Sequence, residues 1–210
     1  MQDDAHKGFR EGGPRQEDLI RSAPTEPQAF LRWSAQRERE DGKFELSRGR
    51  VICEMINASN LHSRVLSNLV IELGRLLDLG RFDIGISDFA VQTPYGVRSP
   101  DVVVENARSL RVLSTATPLV IAEVLSPSTE STDFTEKLEE YTAIEALQTY
   151  LICSQDERRA WVWARQTDGS SPGRPLELVG REGAIALGGL NVQLTMAAIF
   201  RGIPDVPTGE

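Results

Sequence analysis

The sequence predicts a mixed α/β (α+β) fold, with a mixed central β-sheet flanked by helices. Two observations carry that prediction. Helix-like and strand-like segments interleave along the chain, in the order helix, hairpin, long helix, strands, helix, strands. Two segments, "PDVVVE" and "PLVIAEVL", are almost continuously apolar, as strands covered on both faces must be. The length of 210 residues, with 40% apolar and 26% charged residues, suits one domain with a real core.

Residues 1–24 are rich in Gly, Pro and charge and predict a mobile N-terminal tail. A single domain is expected over 25–203, with a short tail over 204–210. "TEPQAFLRWSAQRERED" predicts a short helix, with Thr25 and Gln28 forming a capping box and Phe30, Leu31 and Trp33 giving an apolar face. "KFELSRGRVICEM" alternates on either side of "SRG" and predicts a hairpin. In "NASNLHSRVLSNLVIELGRLLDLG", Leu61, Val65, Leu69, Leu73 and Leu76 recur at spacings of three and four, a helix that Gly80 should end. "RFDIGISDFAVQT" gives one or two strands, and "PYGVRS" reads as a turn. "STDFTEKLEEYTAIEA" is helical, with Phe134, Leu138, Tyr141 and Ile144 on one side. "TYLICS", "RAWVWARQ", "RPLELVG" and "NVQLTM" are strands, and "TMAAIF" is a closing helical turn.

Composition excludes several classes. No apolar run approaches the length needed to span a bilayer. The opening residues "MQDDAHKGFREGGPRQED" have no apolar signal-peptide core, so the expected location is cytoplasmic, without a membrane. Cys53 and Cys153 fit no zinc spacing and read as buried reduced thiols; His6 and His62 are too far apart in sequence to suggest a His/Cys metal cluster. A net charge of −8 argues against nucleic-acid binding through a broad electrostatic field, while leaving room for a local basic groove.

Three charged positions stand out by where they fall. Asp101 opens a buried strand after Pro100, Glu123 lies inside the next buried strand, and Lys137 lies on the helix after it. Carboxylates seldom sit in buried strands without a partner. If the two strands are neighbours, Asp101 and Glu123 meet at one end of the sheet. A hard divalent cation relieves their repulsion, and oxygen ligands favour Mg²⁺ or Mn²⁺ over zinc.

"FELSRGRVICEM", "LHSRVLSNLVIELGRLL", "VRSPDVVVE", "PLVIAEVLSPSTESTDFTEKLEEY" and "TYLICSQDERRAWVW" together resemble the Uma2 family (DUF820) of restriction endonucleases, within the PD-(D/E)XK nuclease superfamily. The resemblance runs from about residue 25 to residue 200 and implies a restriction-endonuclease-like PD-(D/E)XK core. It implies a Mg²⁺- or Mn²⁺-dependent endonuclease acting on DNA. Asp101 and Glu123 match the two acids and would be metal ligands. The superfamily's lysine position is Leu125 here, and the helix residue Lys137 would replace it. Glu45, in "FEL", would complete the metal site, and His62 would stand close to it. A homodimer suits such a fold.

Other readings compete. Asp133 precedes Lys137 by four residues, which allows an ordinary helix ion pair. Ser126, Ser128 and Thr129 have no base beside them and suit turn and cap duty. Trp161 and Trp163 share one strand face and suit core or interface packing. The rival function is a catalytically inactive nucleic-acid-binding or protein-interaction module on the same fold; a third is hydrolysis of another phosphoester.

Overall fold

The computed structural model describes residues 15–38, 41–54, 59–87, 89–108, 112–126 and 130–203. The centre is a six-stranded sheet in the order β11-β10-β9-β8-β6-β3. It comprises β3 (Phe82–Ile86), β6 (Val102–Asn106), β8 (Val120–Val124), β9 (Thr149–Cys153), β10 (Arg159–Ala164) and β11 (Leu176–Val179). The sheet is mixed: β8 and β9 are parallel and the other neighbours antiparallel. The parallel pair is joined by α4 (Glu130–Phe134) and α5 (Glu136–Thr142).

Alternation along β6 and β8 explains the two apolar layers. Val102, Val104, Val120, Ala122 and Val124 face α3 (Asn60–Leu76), where Val65, Leu69 and Leu73 are buried at helical spacing. Val103, Ile121 and Leu125 face α5 with Tyr141 and Tyr150. Glu123 shares the parity of Ile121, so it points into the layer under α5.

A second, five-stranded sheet, β2-β1-β5-β4-β7, was not anticipated. It contains β1 (Lys43–Ser47), β2 (Arg50–Glu54), β4 (Ala90–Thr93), β5 (Gly96–Arg98) and β7 (Ser114–Thr115). The expected hairpin is β1-β2, closed by Arg48 and Gly49 at φ 50° and 74°, the left-handed pair of a tight hairpin turn. The "PYGVRS" turn is confined to Pro94 and Tyr95, because Gly96–Arg98 pairs with both β1 and β4. A separate two-stranded sheet, β12 (Ala184–Leu187) with β13 (Val192–Thr195), precedes α6 (Met196–Ile199).

Other expectations need correction. α1 (Gln16–Ser22) lies inside the presumed mobile tail, and its Leu19 is buried with Phe30 and Phe44. α2 (Pro27–Ser34) is capped by Glu26, whose carboxylate accepts from the Gln28 and Ala29 N–H groups, and not by Thr25. α3 stops at Leu76, before Gly80, with Leu77 as its C-cap. The helix after β8 breaks at Thr135 (φ −122°, ψ −88°) into α4 and α5. No described helix is long and apolar enough to cross a membrane.

Gly96 permits β5 to lie against β1: a Cβ there would stand 2.0 Å from the Leu46 carbonyl oxygen. Gly96→Ala must push the strands apart and is expected to destabilise by about 3 kcal/mol or more. Chemical denaturation of the variant checks this; parent-like stability would show that β5 can move without cost.

Candidate active site

The register Val102↔Ala122 places Asp101 opposite Glu123 at the end of the β6/β8 ladder. The backbone locks that arrangement in both directions. The Asp101 N–H donates to Glu123 Oε2 at 3.2 Å, and the Val124 N–H donates to Asp101 Oδ2 at 2.8 Å. Strand pairing thus brings the two acids together.

Glu123 Oε1 faces α5. It accepts from Lys137 Nζ at 3.2 Å and from the Tyr141 hydroxyl at 3.1 Å. Lys137, Glu140 and Tyr141 are spaced by three and four and form the buried side of α5. Lys137 also pairs with Asp133 Oδ1 at 2.9 Å. The helix ion pair and the site contact therefore coexist on one ammonium, which is 1% exposed. The Glu123 carboxyl stands at about 8: burial pushes it up, the Lys137 ammonium pulls it down, and Asp133 and Asp101 push it up. Lys137 itself is held well above its ordinary value: burial works against its charge, and Glu123, Glu45 and Asp133 outweigh burial.

His62 sits in the first turn of α3, where the N-cap hydroxyl of Ser59 accepts from the His62 N–H at 3.0 Å. Ser59 in turn donates to Gln155 Oε1 at 2.7 Å, which ties the turn to the loop after β9. His62 Nε2 lies 3.3 Å from Asp101 Oδ2, and its Nδ1 is buried without a hydrogen-bond partner among the described residues. Burial would raise the Asp101 carboxyl, but His62, Lys43 and the Val124 N–H together hold it below its ordinary value.

Glu45 is fully buried on β1, and each of its oxygens has a donor. Oε2 accepts from Arg98 Nη1 at 2.9 Å and Oε1 from the Ser99 N–H at 2.9 Å. Arg98 also makes a paired contact with Glu140, Nε to Oε2 at 2.8 Å and Nη2 to Oε1 at 2.7 Å. The Ser47 hydroxyl donates to Glu140 Oε1 at 2.6 Å. Arg98, Glu140, Asp133, Tyr141 and Lys43 were not foreseen as site residues. The spacing of Lys137, Glu140 and Tyr141 on a helix already read as amphipathic was the available signal for two of them.

Asp101 and Glu123 fit a hard cation by their chemistry. Two carboxyl groups face each other, Asp101 Oδ1 has no donor among the described residues, and burial together with Asp133 and Asp101 keeps the Glu123 carboxyl above its ordinary value. Among the described residues no three His, Cys, Asp or Glu side chains form a metal cage. A two-carboxylate site completed by water and substrate is the pattern of Mg²⁺ and not of a dedicated protein cage. Ser126 lines a groove with Leu125 and Trp161; Ser128 and Thr129 lie outside the described residues. Trp161 and Trp163 both pack edge-on against Phe134, with centroids 5.0 and 6.1 Å away.

A mixed sheet that pairs a Pro-Asp strand start with a strand acid, crossed by a lysine-bearing helix, defines the restriction-endonuclease-like class. A solved structure described as "a putative nuclease belonging to DUF820", from Anabaena variabilis, matches with a TM-score of 0.64 at 16% identity, over 81% of this chain and 96% of that one. Residues 27–197 match the model of the Uma2 family, described as "Putative restriction endonuclease", and the chain belongs to that family. The Synechocystis protein slr1290, described as uncharacterized, is 32% identical over 149 residues, 68% of this chain and 75% of that protein.

Burial alone would raise the Glu45 carboxyl, but Lys137, Lys43 and Arg98 outweigh it and hold it at about 2, against an ordinary 4.5. A depressed carboxyl stabilises the fold above its unfolded pKa, and that stability is lost as pH falls from about 4.5 toward 2. Glu45→Gln is expected to cost about 3 kcal/mol at pH 7 and to flatten this acid limb. Urea denaturation from pH 7 down to pH 3 reads both effects; an unchanged acid limb would contradict the assignment.

Proposed function

We propose that the protein is a metal-dependent endonuclease that hydrolyses DNA phosphodiester bonds. The observation that carries the reading is the pairing of Asp101 with Glu123 across β6 and β8, with Lys137 and Tyr141 on the second acid. Family membership supports it. Asp101 and Glu123 would hold Mg²⁺ or Mn²⁺, which when bound would supply Lewis acidity toward a phosphoryl oxygen and a water. Lys137 and Tyr141 fix the Glu123 carboxylate in one orientation and offset its burial. His62 orients Asp101 from α3. Glu45, expected as a third ligand, acts in this reading through Arg98 and the Ser99 N–H, holding the chain two residues before Asp101.

A specific observation favours the inactive-module alternative. Leu125 occupies the usual lysine position, and the replacing Lys137 already serves two carboxylates. Metal binding and turnover separate the two readings.

With Mg²⁺ or Mn²⁺, purified protein should cleave supercoiled or linear DNA, and Asp101→Ala should abolish cleavage. Absence of cleavage on any DNA or RNA would end the enzymatic reading. Independently of turnover, Mn²⁺ at about ten times its Kd should stabilise the parent by about 1.4 kcal/mol, a rise of about 3–5 °C in melting temperature. Asp101→Asn should lose that rise, and a parent chain unmoved by metal would support the inactive module.

A further inference from the structure

We propose that Lys43, and not Lys137, is the cation that meets the phosphate to be cleaved. The inference rests on the nuclease reading above and assigns a catalytic contact that the reading leaves open.

The site has a floor and a mouth. Glu123 and Lys137 form the floor, with side chains 3% and 1% exposed. Asp101 and His62 stand at the mouth, 14% and 11% exposed. A phosphodiester arriving from solvent meets the mouth first. Lys137 would have to leave both Asp133 and Glu123 to reach it, uncovering two buried carboxylates. Arg98 is locked between Glu45 and Glu140. On the nearby hairpin, Arg48 is paired with Glu139 and Arg50 with Glu136.

Lys43 differs from all of these. It is half-buried at the start of β1, and among the described residues its ammonium makes no hydrogen bond and no ion pair. It lies two residues from Glu45 and so shares that residue's face of the strand. Glu45 Oε1 takes the Ser99 N–H, which brings this face against the segment leading into Asp101. The carboxylates of Glu45, Glu123 and Asp101 all act on the ammonium and outweigh the burial that would discharge it. The backbone entering β1 is also constrained. Gly42 has φ 103°, and a Cβ there would lie 2.6 Å from Cys53 Sγ and 3.2 Å from the Glu54 carbonyl oxygen. Lys43 is therefore delivered to the site on a fixed strand, carrying three N–H donors that no acceptor among the described residues uses.

The chemistry needs such a group. As the water oxygen bonds to phosphorus and the bond to the leaving oxygen breaks, negative charge builds on the non-bridging and leaving oxygens. An ammonium donating to a non-bridging oxygen stabilises that charge without forming or breaking a bond itself. It also offsets the repulsion between an anionic substrate and a site rich in carboxylates.

The test uses labelled duplex DNA with Ca²⁺ in place of Mg²⁺, so that binding is read without turnover. Lys43→Met should weaken binding about tenfold and lower the slope of log Kd against log salt by about one, with Lys43→Arg recovering both. With Mg²⁺, the Met variant should lose turnover at saturating DNA by about a hundredfold, and Lys43→Arg, which keeps the charge beside the site acids, should restore it. Parent-like salt slope and turnover in Lys43→Met would overturn the proposal. A parent that binds DNA without cleaving it would overturn the nuclease reading, while the salt slope would still decide the phosphate contact. A parent that does not bind DNA would overturn both.

Discussion

The guanidinium of Arg98 is the fixed point of this fold. It is wholly buried, and it joins Glu45 on β1 to Glu140 on α5 from its own place on β5. Moving such charges out of water is expensive, and a buried ion pair is a poor source of net stability. What it provides is geometry. The guanidinium fork fits the Glu140 carboxylate through two parallel hydrogen bonds and admits little rotation. An apolar replacement would pack the same volume with many orientations, whereas Arg98 permits one placement of α5 over the strands.

Everything in the site inherits that placement. α5 carries Lys137 and Tyr141 on the same side as Glu140, so docking Glu140 on Arg98 also delivers an ammonium and a hydroxyl to Glu123 Oε1. On the other flank, Glu45 binds Arg98 with one oxygen and the Ser99 N–H with the other. That second bond fixes the chain just before Asp101. The two proposed ligands are therefore positioned twice, by the β6/β8 register and by the Arg98 assembly. The two constraints agree, as expected of a sequence whose local and global preferences are consistent.

Legibility in the sequence followed the scale of the feature. Val65, Leu69 and Leu73 repeat often enough for the long helix to be read, and the β-branched runs of β6 and β8 announce central strands. Once those strands are neighbours, Asp101 and Glu123 follow from their positions. The second sheet was hidden because β5 has three residues and follows Pro94, so turn chemistry masked it. Without β5, Arg98 falls in the expected "PYGVRS" turn, where nothing marks its role. α1 falls within the expected tail because its polar sequence buries a single side chain, Leu19. The break at Thr135 has neither Gly nor Pro to mark it. The position of Lys137 on the helix after β8 singles it out, and only the family resemblance implies its catalytic role; periodicity alone follows apolar residues and does not show that this lysine is buried.

That position 125 holds a leucine and not a lysine has a packing cause. Position 125 has the parity of Glu123 and Ile121, and Leu125 lies in the apolar layer with Tyr141, Ile144 and Trp163. An ammonium there would be buried among aromatic and aliphatic groups, at a cost those groups cannot offset. The lysine that α5 carries differs, because Asp133 one turn earlier supplies Lys137 with a counterion. A lysine on a strand is positioned by backbone hydrogen bonds, whereas a lysine on a helix is positioned only as well as the helix is docked. In the proposed reading Lys137 is only as well placed as α5 is docked, and the buried Arg98 pairs with Glu140 and Glu45 clamp α5 to the strands.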